Sequence, residues 1–447
     1  MTKKILLLGA GRSAAVLINY LLEQAAKEGW EITIGDTSVH HLQTVLAEKP
    51  FASAIVFDVQ QANQLATEVA KADVVISLLP ALFHELVAQV CLQQRKHLLT
   101  ASYVSPAMQR LHEEALQKGV LILMESGLDP GIDHMSAMAA LEKIRQQGGR
   151  LLSFKSFTGG LVAPESDTNP WHYMFTWNPR NVVLAGQGTA RYIQDGNYKY
   201  IPYHQLFLRT EKVKVAGYGT FESYANRDSL SYRKHYNLQD IPTMLRGTLR
   251  KEGYSAAWHA FVQLGLTDDT YVLDNAEKLT KRSFLESFLP PPAGEETSLE
   301  QRLCAYLAIP EQGEVIQKLA WLGLLSDEPI DMPHATPAQV LEKILKEKWS
   351  LSPGDKDMIV MQHQFVYELA EKQYQLISSL VVLGENEVQT AMAKTVGLPV
   401  GILAKLLLQG KILYRGVVIP IHKELYEPVL EELQQYGIDF VEQEQAL

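Results

Sequence analysis

The 447-residue chain is short of several things at once. It carries only two cysteines, Cys91 and Cys304, far apart and each within an apolar periodic segment. Neither has a CxxC partner or a nearby ligand set, so both read as core thiols rather than redox or metal residues. Positive charge is in deficit: 41 Lys and Arg face 51 Asp and Glu, a formal charge of −10. That balance argues against nucleic acid or an anionic membrane as partner, but a local Arg cluster would still accept an anionic small substrate. Only the apolar run Ile5–Leu8 precedes Gly9, too little for a secretory segment. No stretch approaches the ~18 apolar residues of a membrane span. A cytoplasmic protein without a membrane partner is expected. Metal-ligand spacing of His, Asp or Glu is missing, no Ser-His arrangement stands out, and no repeat or low-complexity tract is found, so no metal is expected.

What is present is a hydrophobic fraction of 47% and a charged fraction of 21%, ordinary for a globular enzyme, on a chain long enough for two or three domains. Lys4-Ile-Leu-Leu-Leu8 reads as a strand buried on both faces. It runs into Gly9-Ala10-Gly11-Arg12-Ser13-Ala14 and a helical pattern, and a second strand, Glu31 to Gly35, ends at Asp36. This is G-x-G-x-x-A between strand and helix with an acid at the next strand end. Gly9 permits the tight turn, Gly11 the approach of a pyrophosphate, and Ala14 close helix packing, while the helix N-terminus meets the anion. Asp36 would bind the ribose hydroxyls and repel a 2′-phosphate, which favours NAD; Arg12 and Arg95 leave NADP open. Ala54–Phe57, Asp73–Ser77, His97–Thr100 and Val120–Leu123 bring the parallel strands to six. Ligands in such sheets lie beyond the carboxyl strand ends, here Ser77 to Pro80, Thr100 to Tyr103 and Gly127 onward, with Asp58-Val59 placed for adenine.

The stretch Met124-Glu-Ser-Gly-Leu-Asp-Pro-Gly-Ile-Asp-His-Met135 closes that series and opens a helix running from Ile132 through Ile144. Beyond it the rhythm changes. Leu151–Phe157, Lys212–Ala216 and Gly219–Tyr224 alternate as half-buried strands, and Met358–Tyr367 with Tyr374–Leu383 as a hairpin. Helices are expected at about 243–265, 299–324 and Ala338–Lys348, the last with a solvated charged face. A long apolar helix, Gln389–Gln409, is expected to be interrupted at Gly397-Leu-Pro399. Pro290–Glu296 reads as a linker. Trp171, Tyr173, Phe175 and Trp177 alternate and are assigned to a core or subunit interface. The expected architecture is α/β: a Rossmann dinucleotide-binding domain (1–127), an α+β substrate and dimerisation domain (128–390), and a C-terminal segment (391–447).

Thr100-Ala-Ser-Tyr-Val-Ser-Pro106 and Gly127-Leu-Asp-Pro-Gly-Ile-Asp-His134 resemble the saccharopine dehydrogenase family, specifically its glutamate-forming reductases. Gly159–Ser166, Asn226–Ser229, Arg246-Gly-Thr-Leu-Arg250 and Ala391–Gly397 match in the same order, so the resemblance spans nearly the whole chain. It implies oxidation of saccharopine with NAD(P) and water to glutamate and 2-aminoadipate 6-semialdehyde, or the reverse, in a homodimer, with the 391–447 segment returning to the dinucleotide domain. It also implies that Ser102, Tyr103, Asp129, Arg227 and Arg246-Gly247-Thr248 line the substrate site. Ala10 to Ser13, Asp36, Thr37, Ser38, Asp58, Val59, Leu79, Leu128 to Pro130 and Thr176 would contact the dinucleotide. Where fungal relatives carry a Cys this chain has Thr158, and where they carry an Arg after the second strand it reads Asp36-Thr37-Ser38.

Saccharopine has three carboxylates and two amines, for which bidentate Arg pairs at Arg227 and Arg246 are suited. Tyr103 and Asp129 are the candidates for proton transfer, Asp129 alternatively for holding an ammonium, and His134 is either a base or a structural hydrogen-bonder. Two other readings stay open: a polyamine-pathway reductase of the carboxy(nor)spermidine dehydrogenase type, against which the two arginines count, and a non-catalytic dinucleotide-binding protein.

Overall fold

A computed structural model describes residues 2–185, 187–291 and 297–447. The chain forms two compact units: Met1–Arg150 with Leu380–Val441, and Leu151–Ser379 with Glu442–Leu447.

The first unit is built on a seven-stranded sheet. Its strands β1 (Lys4–Leu8), β2 (Glu31–Asp36), β3 (Ala52–Val56), β4 (Val74–Ser77), β5 (His97–Leu99) and β6 (Leu121–Leu123) are the six expected from the apolar runs. All pair in parallel, in the order β6-β5-β4-β1-β2-β3. A seventh strand, Gly416–Val418, adds in parallel beside β6. Three residues long, it carries too little pattern to be read from sequence. Leu6, Leu8, Val75, Leu98 and Ile122 from these strands pack with Leu65, Val69 and Cys91 into one core layer. Both cysteines are free and buried.

The helix Ala391–Leu408 runs unbroken through Pro399, so the expected interruption is corrected. It packs on Ala15–Glu28. A side chain at Gly397 would come within 3.0 Å of Leu17, and one at Gly401 within 2.6 Å of the Tyr20 ring. Those glycines let the two backbones approach, and the packing gained outweighs the hydrogen bond that Pro399 cannot donate. By length and composition this helix also suffices for a membrane span, correcting the expectation that no stretch does, but 78% of it is buried inside the protein, as in a core helix. The helix Ile132–Gln146 also belongs to the first unit.

The second unit carries a mixed sheet. Strands β7 (Arg150–Val162), β8 (Ala190–Gln194), β9 (Asn197–Ile201), β10 (Thr210–Val215), β11 (Gly219–Ala225), β12 (Thr243–Arg250), β13 (Asp357–Leu369) and β14 (Lys372–Leu383) are joined by the C-terminal strand Val441–Ala446. The path is β10-β11-β12-β7-β13-β14 and then the C-terminal strand, with β8 pairing β12 and β9. The alternating segments around 151–157, 212–216, 219–224 and 358–383 are thus strands, as expected. Residues 243–250 were expected to be helical and form β12, which is corrected here: Thr243-Met-Leu-Arg-Gly-Thr-Leu-Arg250 is β-branched or apolar at most positions and is hydrogen-bonded on both sides, to β11 and β7. The helix begins only at Tyr254. The segment near 299–324 divides into Leu299–Leu307 and Glu314–Trp321 around Pro310. Trp171, Tyr173 and Phe175 lie outside any strand, yet all are fully buried: Trp171 stacks on Phe261, all three meet Trp349 edge to face, and Tyr254 stacks on Trp258 in the same aromatic core. Most of the expected linker Pro290–Glu296 lies outside the described residues.

Candidate functional site

The first unit gathers its polar residues at the carboxyl ends of the strands. Gly9 ends β1 with φ +95°, and a Cβ there would lie 3.0 Å from the Leu78 carbonyl carbon. Gly11 has open space where its side chain would be. Arg12–Ala14 form a 3₁₀ turn leading into Ala15–Glu28; the Arg12 side chain lies outside the described residues. Asp36 sits at the end of β2, and its carboxylate accepts the Ala10 N–H at 2.6 Å, the Ser38 N–H at 3.1 Å and the Thr37 hydroxyl at 3.3 Å. The turn and the acid are therefore tied into one cradle, shaped for a ribose and a pyrophosphate. Asp58, half-buried, and Val59, buried, follow β3; Leu79, half-buried, follows β4.

The turn after β6 is dictated by its glycines. A Cβ on Gly131, at φ +148°, would fall 2.0 Å from the Gly127 oxygen, and one on Gly127 would fall 2.8 Å from Ala101. The Gly127 N–H reaches the Pro130 carbonyl at 3.0 Å and the Ile132 N–H the Gly127 carbonyl at 2.8 Å. Asp133, in the first turn of the new helix, accepts the Gly131 N–H at 2.6 Å and places a negative charge at the helix N-terminus. Leu128 and Pro130 are buried, and between them Asp129 is half-exposed. The Tyr103 hydroxyl donates to Asp129 Oδ1 at 2.9 Å. These two residues, 26 apart in sequence, thus meet beyond β5 and β6 as their strand positions suggested.

Beneath them lie two arrangements that sequence reasoning missed. Glu125 is buried with φ +55°. Its carboxylate accepts the Val104 N–H at 2.9 Å and lies 2.7 Å from His134 Nε2. His134 is thereby a buried structural partner, the second of the two roles left open for it. His84 is buried as well, with Nδ1 3.0 Å from Ser77 Oγ and Nε2 2.7 Å from Ser102 Oγ. Burial pushes its imidazole down to about 4, so the ring is neutral. A lone His at a helix start gave no signal of either contact.

In the second unit Arg227 lies in the loop after β11, exposed, at φ +29°. The loop is pinned on both flanks: the Arg191 N–H donates to the Arg227 carbonyl at 2.7 Å, and the Asn226 N–H to the Arg246 carbonyl at 2.8 Å. Asp228 beside it forms an ion pair with Arg191. Arg246 lies on β12, within the stretch expected to be helical. Its guanidinium packs 4.7 Å from the centre of the Tyr232 ring, and its backbone N–H donates to Ser229 Oγ at 2.8 Å. Gly247 makes room for side chains of the flanking strands, since a Cβ there would strike Ser223 Oγ at 2.4 Å and Phe157 at 2.8 Å. Thr248 follows, half-buried. Thr176 also belongs to the second unit; its buried hydroxyl has no hydrogen-bond partner, and neither has that of Thr158. Among the described residues no group of three His, Cys, Asp or Glu is placed to hold a metal.

A parallel sheet with a glycine turn and a strand-terminal acid defines a dinucleotide-binding domain, here joined to a second unit of mixed sheet that carries Arg227 and Arg246. Residues 5–123 match the saccharopine dehydrogenase NADP-binding domain and residues 127–438 the saccharopine dehydrogenase C-terminal domain. The chain belongs to the saccharopine dehydrogenase family. It is 31% identical over 446 residues to the saccharopine dehydrogenase [NADP(+), L-glutamate-forming] of Pyricularia oryzae, covering 98% of each chain. It is 34% identical to the mitochondrial alpha-aminoadipic semialdehyde synthase of Bos taurus, with 99% of this chain matching 48% of that one, so it spans about half of that longer protein. Among solved structures, the apo L-Glu-forming saccharopine dehydrogenase of Saccharomyces cerevisiae superposes with a TM-score of 0.88 at 31% identity, over 99% of this chain and 100% of that one. A nicotinamide dinucleotide is accordingly the cofactor class.

Proposed function

We propose that this chain is an L-glutamate-forming saccharopine dehydrogenase, an oxidoreductase acting on a CH–NH bond. The observation that carries the proposal is the Tyr103–Asp129 pair at neighbouring strand ends, on a chain that matches glutamate-forming enzymes along its whole length. A bound dinucleotide would supply the hydride acceptor for oxidation at the carbon bearing the secondary amine. The residues of this chain bind, orient and manage protons. Asp129 holds the substrate ammonium, or takes a proton as water adds to the imine carbon. Tyr103, donating to Asp129, fixes the direction of that carboxylate. Arg227 and Arg246 bind substrate carboxylates, with Gly247 and Thr248 lining the same contact, and Ser102 touches the substrate from the β5 end.

NAD is the proposed cofactor. The Asp36 carboxylate is held at the glycine turn by the Ala10 and Ser38 amides, and residues 37–41, Thr-Ser-Val-His-His, include no Lys or Arg. A 2′-phosphate would meet that anion, and no Lys or Arg within residues 37–41 would balance it. Ala10, Ser13, Thr37, Asp58, Val59, Leu79, Leu128, Pro130 and Thr176 complete the proposed dinucleotide contacts. A homodimer in a reducing compartment, which the two free, buried thiols suit, completes the proposal. Following NADH formation with saccharopine, and separately NADPH formation, tests it: turnover with saccharopine and a preference for NAD are expected, and no turnover with either cofactor refutes the assignment.

A further inference from the structure

His84 has no part in the chemistry above, yet it bridges two of the strand ends that form the site. It is the first residue of the helix His84–Gln94 and only 2% exposed. Its Nδ1 lies 3.0 Å from Ser77 Oγ at the end of β4. Its Nε2 lies 2.7 Å from Ser102 Oγ and 3.2 Å from Thr100 Oγ1, both just beyond β5. Thr100 Oγ1 also accepts the Ser102 backbone N–H at 3.3 Å. Ser102 is thus held twice, at its main chain through Thr100 and at its hydroxyl by the imidazole. Ser77, fully buried, holds the far side of the ring.

A hydroxyl 2.7 Å from an imidazole nitrogen suits two roles. The ring could draw the Ser102 proton as a base, or it could serve as a fixed neutral partner. Burial decides between them. With the imidazole pushed down to about 4, only about one ring in a thousand is protonated near pH 7. Each of its three hydrogen-bond partners, Ser77, Thr100 and Ser102, is a neutral hydroxyl, and none would stabilise an imidazolium as a carboxylate does. A neutral imidazole offers one N–H and one lone pair, enough to lock a hydroxyl rotamer without burying charge.

We infer that His84 is a positioning residue: its imidazole fixes the Ser102 hydroxyl for contact with the substrate, and Ser77 fixes the imidazole. The inference rests on the proposal that Ser102 touches saccharopine. It is tested on the full-length enzyme with His84→Leu, His84→Gln, Ser102→Ala and the double variant His84→Leu/Ser102→Ala. The readouts are KM and kcat for saccharopine at saturating NAD, and the Kd for NADH by fluorescence. His84→Leu is expected to raise KM by about 2–12-fold, the value of one neutral hydrogen bond, with the NADH Kd unchanged. His84→Gln, whose amide reaches the Nε2 position, should restore most of the loss. The double variant should be no worse than Ser102→Ala, because the Ser102 hydroxyl that His84 orients toward the substrate is then gone. Additive losses in the double variant, or a parallel loss of NADH affinity, overturn the role of His84 while leaving Ser102 a substrate contact. An unchanged KM in Ser102→Ala overturns the Ser102 contact and this role with it. Should His84→Leu fail to fold, Ser77→Ala, which removes only the Nδ1 partner, enters the same cycle with a smaller expected rise in KM.

Discussion

Replacing Asp129 by Asn keeps the shape of the turn and removes its negative charge. The turn does not depend on that charge: it is closed by the Gly127–Pro130 and Ile132–Gly127 backbone hydrogen bonds and by the Gly131 N–H donating to Asp133. The Tyr103 hydroxyl, 2.9 Å from Oδ1, can still donate to an amide oxygen. With Asp129 half-exposed, the fold should lose less than about 1 kcal/mol. The substrate should lose far more, because a hydrogen bond to a charged group contributes about 1.5–3 kcal/mol. Expressed as kcat/KM for saccharopine, that is a fall of roughly 10–150-fold. The cofactor cradle at Gly9, Gly11 and Asp36 is untouched, so the Kd for NADH should stay within twofold of wild type, about 0.4 kcal/mol. Steady-state NADH formation gives the first quantity and fluorescence titration the second. A variant that loses NADH affinity while keeping its saccharopine KM refutes the placement of Asp129 on the substrate side.

Four further outcomes are expected. Arg227→Ala should raise the KM for saccharopine by roughly 10–150-fold, as for loss of a charged hydrogen bond, with little change in thermal stability, because its side chain is exposed; an unchanged KM removes it from the site. Asp36→Ser should raise kcat/KM with NADP at least about tenfold relative to NAD, since a like charge near 4 Å costs about 4 kcal/mol at a protein surface; parallel NAD and NADP titrations check it. Gly401→Ala gains up to about 1 kcal/mol of helix propensity but drives a methyl to 2.6 Å from the Tyr20 ring, whose hydroxyl is held by Glu432 at 2.7 Å. Overpacking at about 1–3 kcal/mol should win, lowering the urea midpoint. Stability should also fall on acidification. Burial holds His84 and His97 at about 4 in the fold, against an ordinary 6.5. The unfolded chain therefore binds more protons between those values, and stability is complete above 6.5 and drains away as pH drops toward 4. His84 alone corresponds to about 3 kcal/mol and the more exposed His97 to less, so the urea midpoint near pH 5 should lie well below that at pH 7.5.

The strands of the first unit were legible because a parallel sheet covered on both faces demands continuous apolar runs, and Ile5–Leu8, Val74–Ile76 and Leu121–Leu123 are such runs. β12 was not. Its apolar and β-branched residues carry no clean period of two, because Met244, Leu245, Arg246 and Gly247 are all buried regardless of face. Arg246 accordingly falls within the expected helix, although it lies on β12 and packs its guanidinium on Tyr232. The unbroken helix through Pro399 was missed for a related reason: a proline predicts a break only if nothing else holds the helix, and Leu17 and Tyr20 do.

The sequence alone determined the dinucleotide turn and the Asp–Pro–Gly turn after β6, because both depend on backbone conformations that only glycine at given spacings permits. It also brought Tyr103 and Asp129 to neighbouring positions, since each follows a strand whose direction is set by the parallel sheet. Only the tertiary structure decided what stands behind them. The contacts of His84 with Ser102, of Glu125 with Val104 and His134, and of Ser77 with His84 join residues 18, 21, 9 and 7 apart in sequence, across different strand ends. A hydroxyl, an imidazole or a carboxylate has no periodicity to reveal such a partner; burial beside it, where each polar group must find another, does.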